Sequence, residues 1–156
     1  MGYKLKQLLD EEKDLQFRSF NELDAWELGS MLINKAIEWK LPIAADITMS
    51  GRQLFHVSLP GACLDNAFWI KRKINLVNRF GHSSYYKGLL LKKNRKSIEE
   101  TSLIPESEYA PHGGCFPLIL SGSGMVGTVT VSGLPQEEDH KLVVETIREY
   151  LEKNKK

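Results

Sequence analysis

Four histidines, two cysteines and one basic stretch free of acids hold most of the chemistry open to this 156-residue chain. His112 is the strongest candidate. It precedes Gly113 and Gly114, where the missing Cβ lets backbone approach a ligand and leaves amides free, and a neutral imidazole at pH 7 can ligate iron or shuttle protons. Cys115 follows directly. As a thiolate it would be a nucleophile and as a buried thiol it would be inert, and adjacency in sequence does not bring side chains together. His140, beside Asp139, reads either as a carboxylate-oriented imidazole or as a surface residue. His82 follows Gly81 and is placed to hydrogen-bond the last carbonyls of a helix, or to act in catalysis. His56 alternates with Phe55 and Val57 and reads as structural. No two histidines stand three or four residues apart, so any metal site must be assembled by the fold, with His112 and His140 as its candidate ligands.

Other chemistries are absent. Gly122 and Gly124 lack the third glycine and following helix of a dinucleotide fingerprint, and G-x-S-x-G, H-E-x-x-H and a Walker lysine do not occur. The catalytic residues are unknown, and whether the chain is an enzyme stays open.

Charge supplies the second clue. Net charge is +1, yet Asn66 through Ile98 holds nine Lys or Arg and no acid, leaving twelve bases against twenty acids elsewhere. That asymmetry suits a small anionic ligand, with Arg72 and Arg79 as charge-assisted donors, or a self-interface in which basic and acidic surfaces meet. A nucleic-acid partner would call for an overall basic balance and is not expected.

The elements that must position these groups follow from periodicity. Leu5, Leu8 and Leu9 mark a short helix, and Leu15-Gln16-Phe17-Arg18 alternates as a first strand. Asn21 caps a long helix whose stripe is Leu28, Met31, Leu32, Ala36 and Trp39, ending near Leu41-Pro42. Ile43 to Met49 and Gln53 to Leu59 alternate around Ser50-Gly51 as a hairpin. Asp65 is a candidate cap for a helix with Ala67, Ile70, Ile74 and Val77 inward and Lys71, Arg72, Lys73 and Arg79 outward, ended by Gly81. Ser83 and Ser84 begin another helix, and Ser97 to Glu100 forms a capped turn. Phe116–Leu120 and Met125–Val131 form a second hairpin, and Val143, Ile147 and Leu151 stripe a last helix after Pro135. Five strands without regular βαβ alternation give an α+β fold in one domain, residues 1–156. No apolar run spans a bilayer, and the acids after the first leucines leave no secretory h-region. Met1, Gly2 and Lys6 do not complete a myristoylation pattern. With two cysteines far apart, the expectation is a cytoplasmic chain with free thiols and no membrane partner.

Four segments together resemble a known family: Trp69-Ile70-Lys71-Arg72-Lys73-Ile74-Asn75, Arg79-Phe80-Gly81-His82-Ser83-Ser84-Tyr85, His112-Gly113-Gly114-Cys115-Phe116-Pro117, and Gly127 through His140. The likeness is to the haem-degrading-domain family, called HbpS-like or GlcG-like, and in particular its short subgroup. It implies a profilin-like sandwich, one five-stranded antiparallel sheet flanked by helices, and symmetric homo-oligomers. Cys115 departs from the third glycine usual in that loop. A pocket shared with the family would fall among Arg72, Asn75, Arg79, His82, Ser83, Ser84, His112, Gly113, Gly114 and His140. Three functional readings follow: an oligomeric protein with an anion-accepting pocket, a haem or iron site with His112 or His140 as axial ligand and Cys115 as an alternative, and a non-catalytic adaptor acting through its oligomeric surface.

Overall fold

The computed structural model describes residues 4–155, so Met1, Gly2, Tyr3 and the terminal Lys156 lie outside the described residues. Two helices open the chain, α1 (Leu5–Asp14) and α2 (Glu22–Glu38), followed by a hairpin of β1 (Ala44–Met49) and β2 (Arg52–Ser58). Three helices follow, α3 (Leu64–Phe80), α4 (Ser84–Asn94) and α5 (Ile98–Ser102). A second hairpin, β3 (Cys115–Leu120) and β4 (Gly124–Ser132), leads into α6 (Gln136–Lys153).

The two hairpins join through β1 and β4 into one antiparallel sheet of order β2-β1-β4-β3. Among the described residues the sheet therefore has four strands, not five. Residues 15–18 keep the alternating burial of a strand, but only Phe17 pairs, in a parallel bridge to Leu120. Its amide donates to the Ile119 carbonyl and its carbonyl accepts from Ser121, each at 2.8 Å. The pairing ends there because the chain must reach Asn21, the cap of α2, four residues on.

Side chains of opposite parity along each strand face different helices. Ala45, Ile47, Phe116, Leu118, Val129 and Val131 pack against α2 and α6 in the main core. On the other face Cys115 joins Leu76, Val77, Leu91, Ile98 and Ile104 beneath α3 and α4. The second face also buries polar groups: Asp46 accepts from Gln53 at 2.7 Å and faces the His56 ring nitrogen at 3.0 Å, so His56 is the structural residue expected.

Local signals account for most helix ends. Asn21 and Asp24 form a reciprocal capping box on α2, Ser97 and Glu100 another on α5, and Ser83 caps α4 by accepting from the Tyr86 amide. Gly81 ends α3 with φ of 75°, a conformation a side chain resists. Three expectations are corrected. Trp39 is 56% exposed because it is the C-cap residue, beyond the last helical position of the stripe. Cys63, not Asp65, is the N-cap of α3, its amide donating to the Asn66 side chain at 2.9 Å. Lys73 does not share the outward face of Lys71; it is buried beside Ile70 and Val77.

Candidate functional site

The buried position of Lys73 defines a cleft. Its ammonium lies 3.3 Å from the Asp139 carboxylate and 3.1 Å from the Val131 carbonyl, tying the middle of α3 to the start of α6 and the end of β4. Asp139 in turn accepts from the Leu134 amide at 2.9 Å. Burial pushes the Asp139 carboxyl up to about 6 despite its cation, and burial lowers the Lys73 amine from its ordinary value despite the carboxylate. The pair floors a cleft of about 330 Å³ walled by Asn66, Trp69, His112, Ser132 and Gln136, with Cys63 and Asp65 also lining it.

His112 stands on a divide. A second cleft of about 340 Å³, lined by Lys92, Lys96, Tyr85 and Leu89, shares both His112 and Gln136 with the first. The imidazole packs edge-on against Trp69, centroids 5.4 Å apart, and the Arg72 guanidinium lies 4.4 Å over the same indole. Burial, then the charges of Lys73 and Arg72, hold His112 below its ordinary pKa against the pull of Glu106. At pH 7 the ring is therefore neutral. It makes no hydrogen bond among the described residues. The adjacent backbone is fixed by Gly113, whose amide donates to the Gln136 side chain at 3.0 Å. At Gly114, with φ of 136°, an added Cβ would stand 2.6 Å from the Lys73 nitrogen, so glycine here lets the loop close over the amine.

The other expected site residues go elsewhere. Arg72 donates to the Glu106 carbonyl at 2.9 Å and Asn75 to the Glu108 carbonyl at 2.9 Å, while Arg79 lies over the Phe80 and Tyr109 rings. These three hold down the 105–110 loop from which His112 emerges. His82, Ser83 and His140 meet α1 instead. The His82 ring nitrogen is 2.7 Å from Glu12, which also accepts from the Ser83 amide at 3.0 Å, so His82 caps no helix carbonyl. His140 is fully buried, not a surface residue, and its partner at 2.8 Å is Glu11 rather than neighbouring Asp139. Ser84 accepts from the Cys115 amide at 3.0 Å and anchors the start of β3. Burial pushes the Cys115 thiol up to about 12, an inert thiol donated to by Thr130. Of the expected set, then, His112 alone lines the clefts, with Gly113 and Gly114 next to it in the chain and Arg72 meeting the site only through the Trp69 ring. Lys73, Asp139, Asn66, Trp69 and Gln136 were missed. Lys73 alone left a signal, its place three residues after Ile70 and four before Val77.

A larger cavity, about 690 Å³, lies at the opposite end between residues 14–19 and the close of α6. It contains none of the expected residues, and the clustered groups of altered proton affinity at His112, Lys73 and Asp139 favour the smaller clefts as the site.

A single antiparallel sheet sandwiched between helices, with a polar cleft at one end floored by an ion pair, defines an α+β sandwich domain. Comparison with known proteins narrows this: the family model described as haem degrading protein HbpS-like matches residues 20–148, and the chain belongs to that family. A UPF0303 protein of Streptomyces coelicolor is 47% identical over 145 residues, covering 93% of this chain and 92% of its own length. One of Rhizobium etli strain CIAT 652 is 45% identical over 150 residues, covering 96% and 91%. Among solved structures, that of the Ybr137w protein superposes with a TM-score of 0.91 at 35% identity, covering 100% of this chain and 92% of that one. A complex of PduOC with haem superposes at 0.70 with 15% identity, covering 83% and 94%, and shows the shared fold. No described helix is long and apolar enough to cross a membrane.

Proposed function

We propose that the chain is a homo-oligomeric binding protein whose ligand lies in the paired clefts that meet at His112, and that the ligand is planar and carries carboxylates, as haem does. The observation that carries this reading is His112: a half-buried, neutral imidazole without a hydrogen-bond partner among the described residues, standing between two clefts. Each cleft alone is at the small end of the range for a ligand site, about 300 to 1,000 Å³, so a porphyrin must span both. His112 would take the iron, Trp69 would fix the ring plane, and Lys92 and Lys96 would face the propionates. Haem held there would supply an iron able to bind small ligands or exchange electrons. The family's description and the haem complex of PduOC support that choice of ligand. Arg72 and Arg79, engaged with the 105–110 loop, give the anion-binding role to these lysines.

Self-association is supported by apolar surface. Leu23, Trp26 and Ile37 are 78%, 68% and 57% exposed, and at about 100° per residue they share one face of α2. Leu64 and Phe68 at the start of α3 are similarly exposed. Such a patch marks an interface, here with a second copy.

Haem titration of the purified protein, followed at the Soret band, tests the site. A saturable complex whose spectrum changes in His112→Ala is expected. Saturation with an unchanged spectrum in the variant moves the ligand elsewhere. Native mass spectrometry of Trp26→Glu tests the interface, and a smaller assembly than that of the unmodified chain is expected.

A further inference from the structure

The first cleft has a chemical feature that haem binding does not use. Lys73 carries a primary amine at the floor of a small polar cavity, within 3.3 Å of a carboxyl group and with the amides of Asn66 and Gln136 and the Ser132 hydroxyl around it. The ammonium side chain is 4% exposed and the carboxylate side chain 3%. An amine held in this way is desolvated, oriented by the Val131 carbonyl, and provided with an acid-base partner. These are the requirements for covalent attack on a carbonyl carbon.

We propose that Lys73 forms an imine with a small aldehyde or 2-oxo acid bound in this cleft, with Asp139 transferring the protons. The Lys73 nitrogen lone pair attacks the carbonyl carbon, forming the C–N bond as the C=O π pair moves to oxygen. A proton passes from nitrogen to that oxygen through Asp139. Asp139 then protonates the departing hydroxyl, which leaves as water as the nitrogen lone pair forms the C=N bond, giving a protonated imine beside the Asp139 carboxylate. One water is released, and no oxidant or reductant enters. Asn66, Ser132 and Gln136 supply hydrogen bonds to a short polar chain, and the volume of about 330 Å³ restricts the ligand to a few heavy atoms beyond the carbonyl. The Gly114 backbone, in close contact with the amine, closes the cleft on the sheet side.

Geometry and proton affinity agree here. Burial lowers the Lys73 amine and raises the Asp139 carboxyl, so both lean toward the neutral amine and neutral acid that the reaction requires.

Reductive trapping reads this directly. The native protein is incubated at neutral pH with limiting glyoxylate and cyanoborohydride, then digested, and the modified lysines are mapped by mass spectrometry. Desolvation raises the neutral fraction of the Lys73 amine, so Lys73 is expected to carry more label than any surface lysine. Lys73→Arg retains a cation for Asp139 but has no primary amine, and is expected to lose that preferred adduct while keeping its circular dichroism spectrum. Asp139→Asn is expected to slow labelling at Lys73. Label confined to surface lysines in the folded, unmodified chain overturns the proposal, and that readout stands even if a variant fails to fold. Haem spanning both clefts and a small carbonyl compound in the first would exclude one another, but trapping reads the Lys73 amine and the Soret band reads the iron, so each proposal fails by its own measurement.

Discussion

Replacing Asp139 by Asn decides whether burial or ion pairing dominates at the floor of the cleft. Asp139 is 2% exposed, with the Lys73 nitrogen at 3.3 Å and the Leu134 amide at 2.9 Å, both favouring the carboxylate. Burial outweighs them and pushes the carboxyl from an ordinary 3.8 to about 6. An acid raised in the folded state stabilises the fold below its unfolded pKa, and that contribution is lost as pH rises through the folded one. The window for Asp139 therefore runs from about pH 4 to about pH 6. At 1.36 kcal/mol per unit, a shift of roughly two units is worth about 3 kcal/mol. Urea denaturation of both proteins at intervals from pH 4 to pH 7 yields their difference, in which all other titrating groups largely cancel. The stability of the unmodified chain relative to Asp139→Asn is expected to fall by about 3 kcal/mol across that range. A difference that stays flat, or grows with pH, would show that the ion pair wins and refute the reasoning.

Three further outcomes follow from geometry. Native thiol titration is expected to modify Cys63, which is exposed, and to reach buried Cys115 only on denaturation; prompt reaction of both would contradict its raised pKa. His140→Phe leaves Glu11 buried without its imidazole and is expected to cost about 3 to 5 kcal/mol, most of it recovered when Glu11→Leu is added, as measured by urea unfolding of single and double variants. Gly113→Ala drives a methyl into the Gln136 carbonyl and is expected to destabilise by more than about 2 kcal/mol while weakening any ligand bound at His112, read from thermal unfolding with and without haem.

How much of this could be read from sequence depended on how local each cause is. Both hairpins and the caps at Asn21, Ser83 and Ser97 rest on residues within a few positions of one another, and all were legible. The strand at Phe17 was not, because alternation reports burial while strand pairing needs a neighbour, and its neighbour is Leu120. Lys73 looked like part of a basic face because Lys71 and Arg72 precede it; its place inside depends on Asp139, 66 residues later. His140 was misread for the same reason, its partner Glu11 being 129 residues away. The His112 loop was found because a histidine followed by two glycines is itself a local signal.

The seam between the hairpins carries a kinetic consequence. Each hairpin closes through a short turn, Ser50 and Gly51 both having positive φ in the first, and such units form in about 1 to 10 μs. Joining them requires Met49 to find Gly127 and Ala44 to find Ser132, with α3, α4, α5 and the His112 loop all inside the closed loop. That non-local step is slow by comparison and is the one that brings α3 against β4. The clefts exist only on the far side of this barrier. A ligand seated at His112 therefore bridges α3, the end of β4 and the start of α6, and its binding energy is spent against global unfolding, slowing exchange of those amides that open only with the whole fold.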